Sequence, residues 1–245
     1  MEFQLIQFKN SRLGLLVKRE KKVIAYVKST KKTVRCFFNN PARLEGIVKP
    51  GVSVIWLEHK RAKTQGRVLA VNFRNRWLFI DTNILHHNAM RVILSKYLIG
   101  SLPRYLYFDS EVKIDHSRID YVLRNDKKYL LEVKGCFRFI GDCAFFPDTV
   151  SERSTKHMQL LKKYAEQGVP GIVVFVSPIP VRRIGISWDI DPKFYQALID
   201  AVSCGVKVVG IALEFDGESL YYRGEVDVDL SKDILIKCQK RNQLL

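Results

Sequence analysis

The chain of 245 residues contains no run approaching the about 18 consecutive apolar residues that a membrane-spanning helix requires. Its opening, MEFQLIQFK, lacks the positive-then-apolar layout of a signal peptide, so a cytoplasmic protein with no membrane partner is expected. Five cysteines (Cys36, Cys136, Cys143, Cys204 and Cys238) are few, odd in number and without a CxxC pair. That spacing argues against a disulfide framework or a zinc ribbon and leaves them as small buried apolar residues. Internal repeats and low-complexity linkers are missing too. With 47% hydrophobic residues, the chain has the material for one substantial core or two smaller ones.

Acidic residues are also scarce in one place. From Met1 to Asn75 there are 17 Lys and Arg against 4 acids, a net +13. The remainder holds 24 against 21, so only +3 of the total +16 lies beyond Asn75. A field concentrated in one segment attracts polyanions, and nucleic acid is the expected partner: DNA, with RNA as the alternative. A solvated basic surface would give the same count.

That basic segment has its own texture. Short apolar and aromatic runs recur at Phe3 to Phe8, Arg12 to Arg19, Lys22 to Lys28, Thr33 to Phe38, Ser53 to His59 and Gly66 to Phe73, divided by basic or Gly/Pro/Asn punctuation. The spacing predicts a small all-β domain over 1–75, and a five-stranded oligonucleotide-binding (OB-fold-like) barrel fits the length. Arg12, Arg19, Arg43 and Arg61 are its candidate phosphate contacts. Phe37, Phe38 and Trp56 are either base-stacking platforms or, more in keeping with aromatic burial, core residues.

Residues 76–245 read as a mixed α/β domain. A helix is expected over Asn83 to Ile99, strands at Tyr105 to Lys113, Arg118 to Arg124 and Tyr129 to Phe139, and a capped helix over Ser151 to Gln167. A strand at Ile172 to Val176, a helix over Pro192 to Ser203 and a strand at Val206 to Phe215 complete crossover units over a partly parallel sheet. Within this domain, Asn125-Asp126-Lys127 punctuates two strand-forming runs and predicts a β-hairpin. A turn centred on Asp126 puts Asp120 across from Glu132, and period-2 alternation puts Lys134 on the face of Glu132.

Two carboxylates can hold Mg²⁺ or Mn²⁺ through oxygen, and an adjacent ammonium can orient or deprotonate water, so metal-dependent phosphodiester hydrolysis is one reading. The other is a surface hairpin with cross-strand ion pairs worth ~0–1 kcal/mol. A second polar block, Asp148, Arg153, Lys156 and His157, opens the Ser151 helix, whose N-terminus suits a phosphate. Arg118, Arg138, Arg153 and Lys156 are this domain's nucleic-acid candidates. A zinc site on Cys136, Cys143 and His157 has no supporting motif.

Three blocks carry a family resemblance: Ser117-Arg118-Ile119-Asp120-Tyr121, Leu131-Glu132-Val133-Lys134-Gly135, and Ala144-Phe145-Phe146-Pro147-Asp148-Thr149-Val150 with Arg153 and Lys156-His157. The sequence resembles the sugar fermentation stimulation protein A family from Gly14 to about Leu213, with weaker support from Val71-Asn72, Asn83 with Leu85, and residues 40–46. The resemblance implies a DNA-binding protein linked to sugar, notably maltose, metabolism. It also implies an OB-fold-like barrel followed by a restriction-endonuclease-like domain of the PD-(D/E)XK type. Asp120 and Glu132 then stand for the metal carboxylates, Lys134 for the motif lysine, and Glu111 for a third acid. Two departures stand out. Asn88 occupies the place of a helix Glu that helps complete such metal sites, and Asn39-Asn40-Pro41-Ala42-Arg43 replaces a Pro-Asn-Thr-Gly turn. An active nuclease and a DNA-binding regulator without cleavage both fit.

Overall fold

A computed structural model describes residues 2–30, 32–61 and 63–241, leaving aside the side chains of Lys60, Arg61, Lys240 and Arg241. The chain is mixed α/β with a closed β-barrel and few helices, and it divides into two compact units. The first is Met1–Tyr97 with Pro178–Pro180 and Ala212–Gly224; the second is Leu98–Ser177, Val181–Ile211 and Glu225–Leu245. The division expected from the sequence fell at Asn75/Arg76.

The first unit contains β1 (Phe3–Gln7), β2 (Arg12–Glu20), β3 (Ile24–Lys28), β4 (Thr33–Phe37), β5 (Ser53–Arg61), β6 (Thr64–Phe73) and β7 (Arg76–Phe79). Hydrogen-bonded neighbours run β2–β3–β4–β6–β5 and back to β2, all antiparallel except β4 with β6. This ring of five strands is the barrel. Alternate residues point inward, so Leu16, Ala25, Val27, Val34, Cys36, Val54, Trp56 and Val68 are buried at the period of two that a strand imposes. Trp56 and Phe38 are thereby core residues, the alternative that aromatic burial favoured. Trp56 fits because two neighbours lack side chains. A Cβ on Gly66 would meet its ring at 2.8 Å and the Cys36 Sγ at 2.7 Å, and one on Gly14 would meet its Nε1 at 3.1 Å. A π-helical segment, Ile84–Ala89, then runs into α1 (Met90–Ser95). The expected helix to Ile99 stops short because Tyr97 takes φ +51, outside the helical region.

The second unit begins with β8 (Tyr107–Ile114), β9 (Ser117–Arg124), β10 (Lys128–Gly135), β11 (Arg138–Ile140) and β12 (Cys143–Phe146). It continues with α2 (Glu152–Glu166), β13 (Gly171–Ser177), β14 (Arg183–Ile186) and α3 (Pro192–Ser203). The chain then passes through β15 (Lys207–Phe215) and β16 (Ser219–Asp229), whose residues are shared between the units, to α4 (Ile234–Arg241). β8, β9 and β10 form an antiparallel meander, and β10 pairs in parallel with β13 after a crossover that includes α2. The apolar stripes of α2 and α3 supply Met158, Leu161, Phe194, Leu198 and Ala201 to a core shared with Ile119, Val122, Leu130, Val173 and Phe175. β12, β14 and the end of β16 form a second, parallel set.

One expectation is corrected. Cys143 on β12 and Cys238 on α4 form a disulfide across a sequence separation of 95 residues. No local spacing announces such a pair, because tertiary folding alone brings α4 to β12. Cys36 and Cys136 are buried thiols whose pKa burial raises, as the apolar reading implied, while Cys204 is partly exposed. Among the described residues, no helix is long and apolar enough to cross a membrane.

Candidate functional site

The hairpin β9–β10 determines the site. Tyr121 faces Leu131 in the antiparallel ladder, so one step further Asp120 comes opposite Glu132. Asp120 Oδ2 accepts a hydrogen bond from Val133 N at 2.7 Å, and a side chain there takes over a backbone group at the end of the regular pairing. On its other edge β10 lies along β13, with Glu132 beside Val173 and Lys134 beside Phe175. A strand flanked on both edges and packed under α2 buries its polar residues. Glu132 is 2% and Lys134 8% exposed.

Buried charge must be compensated, and here it is. Glu132 Oε1 accepts a hydrogen bond from Lys134 Nζ at 2.7 Å and a short one from His157 Nδ1, which α2 delivers one and a half turns past its cap. Burial opposes ionisation of Glu132, but the Lys134 ammonium and the His157 contact outweigh it and hold the pKa at about 2. Its neighbour goes the other way. Burial first, and the Glu132 charge second, push Asp120 up to about 7 against the pull of Lys134, Val133 N–H and Arg153. The two carboxylates thus titrate in different ranges, Glu132 ionised at neutral pH and Asp120 poised between its two forms. Meanwhile Glu132 Oε2 is buried and has no hydrogen-bond partner.

His157 is placed by a device that the sequence reading missed. Ser151 caps α2 by accepting from Ser154 N at 3.2 Å, as its position predicts. Asp191, 1% exposed, accepts from Ser151 N at 2.9 Å and from Phe194 N at 3.0 Å, so one carboxylate holds the starts of both α2 and α3. Its signal was available, since Asp191-Pro192 is a helix-opening pair. Arg153 and Lys156 are exposed on the first turns of α2. Asp148 is half-buried in the segment after the cis Phe146–Pro147 bond.

Glu111 falls at the register position across from Asp120, between the pairs Ser110–Tyr121 and Val112–Ile119. It carries φ +58, the β8–β9 ladder skips it, and its carboxylate accepts from Arg118 at 3.1 Å. Among the described residues, no three His, Cys, Asp or Glu side chains gather as a metal-ligand set, and Cys143 is taken up by its disulfide with Cys238. Arg138 makes two hydrogen bonds to Asp189, at 2.7 and 2.8 Å.

In the first unit, Arg12 pairs with Glu58 at 2.8 Å and lies over Trp56. Arg19 stacks on Phe38 and donates to the carbonyls of Lys22, Asn40, Ala42 and Arg43. Half-buried, it braces the 40–43 loop. Arg43 is exposed and 3.4 Å from Glu45. Asn83 and Asn88 are exposed on the turn that opens with the π-helical segment. The side chain of Arg61 lies outside the described residues.

The family model described as "Sugar fermentation stimulation protein RE domain" matches residues 84–219, more than half of the chain and the whole of this site. The chain belongs to the sugar fermentation stimulation protein family. Among relatives in that family, a sugar fermentation stimulation protein homolog from Pyrobaculum neutrophilum is 32% identical over 201 residues, covering 78% of this chain and 82% of the relative. Another, from Methanococcoides burtonii, is 28% identical over 195 residues and covers 77% of each. A solved structure of Pyrococcus furiosus SfsA, described as a complex with Ca²⁺, superposes with a TM-score of 0.85 at 26% identity, covering 93% of this chain and 99% of that one.

Proposed function

We propose that this family member binds DNA through its basic barrel and hydrolyses phosphodiester bonds in its second unit, with Asp120 and Glu132 holding Mg²⁺ or Mn²⁺. The observation that carries the reading is the bare Oε2 of Glu132, a buried carboxylate oxygen with no partner next to a second acid. Native structures rarely bury such an atom without a use for it. Two hard oxygen donors from protein, with water and phosphate oxygens for the rest, are what Mg²⁺ accepts. The Pyrococcus furiosus protein is in complex with Ca²⁺ in its solved structure, which supports a divalent-cation site in this fold. When bound, the cation supplies Lewis-acid polarisation of a phosphate and a more acidic water. Lys134 keeps Glu132 ionised and, with further N–H donors, can hold a water or phosphate oxygen. Arg153, exposed at the start of α2, offers a phosphate contact near the helix N-terminus.

Further support comes from the folds. The strand order β2–β3–β4–β6–β5, with β4 parallel to β6, suits an oligonucleotide-binding barrel. The words "RE domain" suit a restriction-endonuclease-like reading of the rest. A cytoplasmic setting belongs to this reading, with the Cys143–Cys238 disulfide as the observation that weighs against it. A second reading, a DNA-binding regulator of sugar metabolism that does not cleave, is favoured by Asn88 and by the lack, among the described residues, of three carboxylate, imidazole or thiol side chains gathered as a metal-ligand set.

One experiment separates the two. Purified protein and its Asp120→Ala, Glu132→Ala double variant are incubated with single- and double-stranded DNA and RNA plus Mg²⁺ or Mn²⁺. Metal-dependent cleavage present in the first and lost in the second supports the nuclease. Equal traces in both refute it, and DNA binding without cleavage leaves the regulator.

A further inference from the structure

We infer that His157 is a positioning residue for Glu132: by donating from Nδ1 to Oε1, it shares with Lys134 the saturation of that oxygen and directs the bare Oε2 toward a divalent cation. This rests on the cation-site reading above and adds to it a residue that holds no metal itself. The geometry carries the assignment. Glu132 Oε1 receives two donors, Lys134 Nζ at 2.7 Å and His157 Nδ1, while Oε2, also buried, receives none. A carboxylate free to rotate about its last torsion would share two donors between its two oxygens. Here the donors come from different elements, Lys134 from β10 itself and His157 from α2, so they fix the plane of the group from two directions. Lys134 alone leaves that rotation open, because an ammonium on a flexible stem follows either oxygen. The imidazole cannot follow. It is 3% exposed, on a helix whose next residue, Met158, is in the core and whose cap is held by the buried Asp191. Since Oε1 of an ionised carboxylate only accepts, the contact also requires the proton of His157 to sit on Nδ1.

Outer partners of metal ligands typically change metal affinity by 10- to 100-fold when removed. Mn²⁺ binding to the intact chain, measured by titration calorimetry without nucleic acid, is the readout. His157→Ala is expected to weaken binding by about 10- to 100-fold. His157→Asn, whose amide nitrogen branches from Cγ as Nδ1 does, restores most of it, whereas His157→Gln, which reaches to the Nε2 position, does not. Glu132→Gln and Asp120→Asn test the underlying site. If these two bind Mn²⁺ like the parent, the cation-site reading is wrong and the positioning role falls with it. If they lose Mn²⁺ while His157→Ala binds like the parent, only the positioning role is overturned. Should the Ala variant fail to fold, the Asn and Gln variants decide, and equal affinity in those two refutes the assignment. Thermal midpoints in chelator separate a packing role, which would lower stability without splitting Asn from Gln in affinity.

Discussion

Asp120→Asn is expected to make the metal-free protein more stable at alkaline pH, although it removes a candidate ligand. Burial and the neighbouring Glu132 raise the Asp120 pKa from the ordinary 3.8 to about 7. The folded state therefore holds this proton more tightly than the unfolded chain. That contribution to stability is fully present below about pH 4 and is lost as pH rises to about 7. At about 1.4 kcal/mol per pH unit, the penalty reaches a ceiling of about 4 kcal/mol at pH 8, which water entry and relaxation reduce to roughly 1–3 kcal/mol. Asparagine keeps the shape and still accepts from Val133 N, yet carries no charge to penalise. For a chain of this size each 1 kcal/mol moves the melting temperature by about 2–4 °C, so the variant should melt roughly 3–10 °C higher at pH 8 in chelator. By pH 5 the gain should fall below half. Saturating Mn²⁺ should close or reverse the gap, adding about 2.7 kcal/mol to the parent at a hundredfold excess over Kd and little to the variant. A variant no more stable than the parent at pH 8, or equally favoured at pH 5 and 8, would refute the electrostatic account.

Other consequences are open to measurement. Because Asp120 must lose its proton to bind a cation, Mn²⁺ affinity should fall about tenfold per pH unit below about 7, and a flat profile from pH 5 to 8 would exclude Asp120 as a ligand. DNA affinity should decline steeply with salt, with a slope that shrinks when barrel lysines are neutralised; binding insensitive to salt would place the interface elsewhere. Replacing Cys143 and Cys238 by serine should cost roughly 2–5 kcal/mol in non-reducing melts and remove the response to dithiothreitol. In the first unit, Asp81 is fully buried, bonded to Arg67 and Asn39, and caps the π-helical segment through Ile84 N. Asp81→Asn should therefore destabilise by about 3–5 kcal/mol in chemical unfolding, while a loss under 1 kcal/mol would mean Arg67 finds other partners.

The chain's local patterns sufficed for much of this. Six apolar runs in the first 75 residues became β1 to β6, and Ser151 and Pro192 opened α2 and α3 where capping chemistry predicts. The Asn125-Asp126-Lys127 turn set the hairpin register, and that register alone brings Asp120 across from Glu132. What escaped was non-local or weakly patterned. β7, β12 and β14 are only four residues long, and the Tyr129 to Phe139 run splits at Gly135 so that β11 can pair with β12.

The sequence by itself determined the barrel strands, the capped helices α2 and α3, the barrel's charge and the carboxylate pair, because strand alternation, turn chemistry and helix caps are set by neighbours a few residues apart. Only the tertiary structure decided the rest. It joined β1 to β16 across more than 200 residues, closed Cys143 on Cys238, turned Arg19 onto the carbonyls of the 40–43 loop and left one oxygen of Glu132 bare beneath His157. Each of these depends on which distant segments bury their apolar faces together, and no local spacing in a chain encodes that choice.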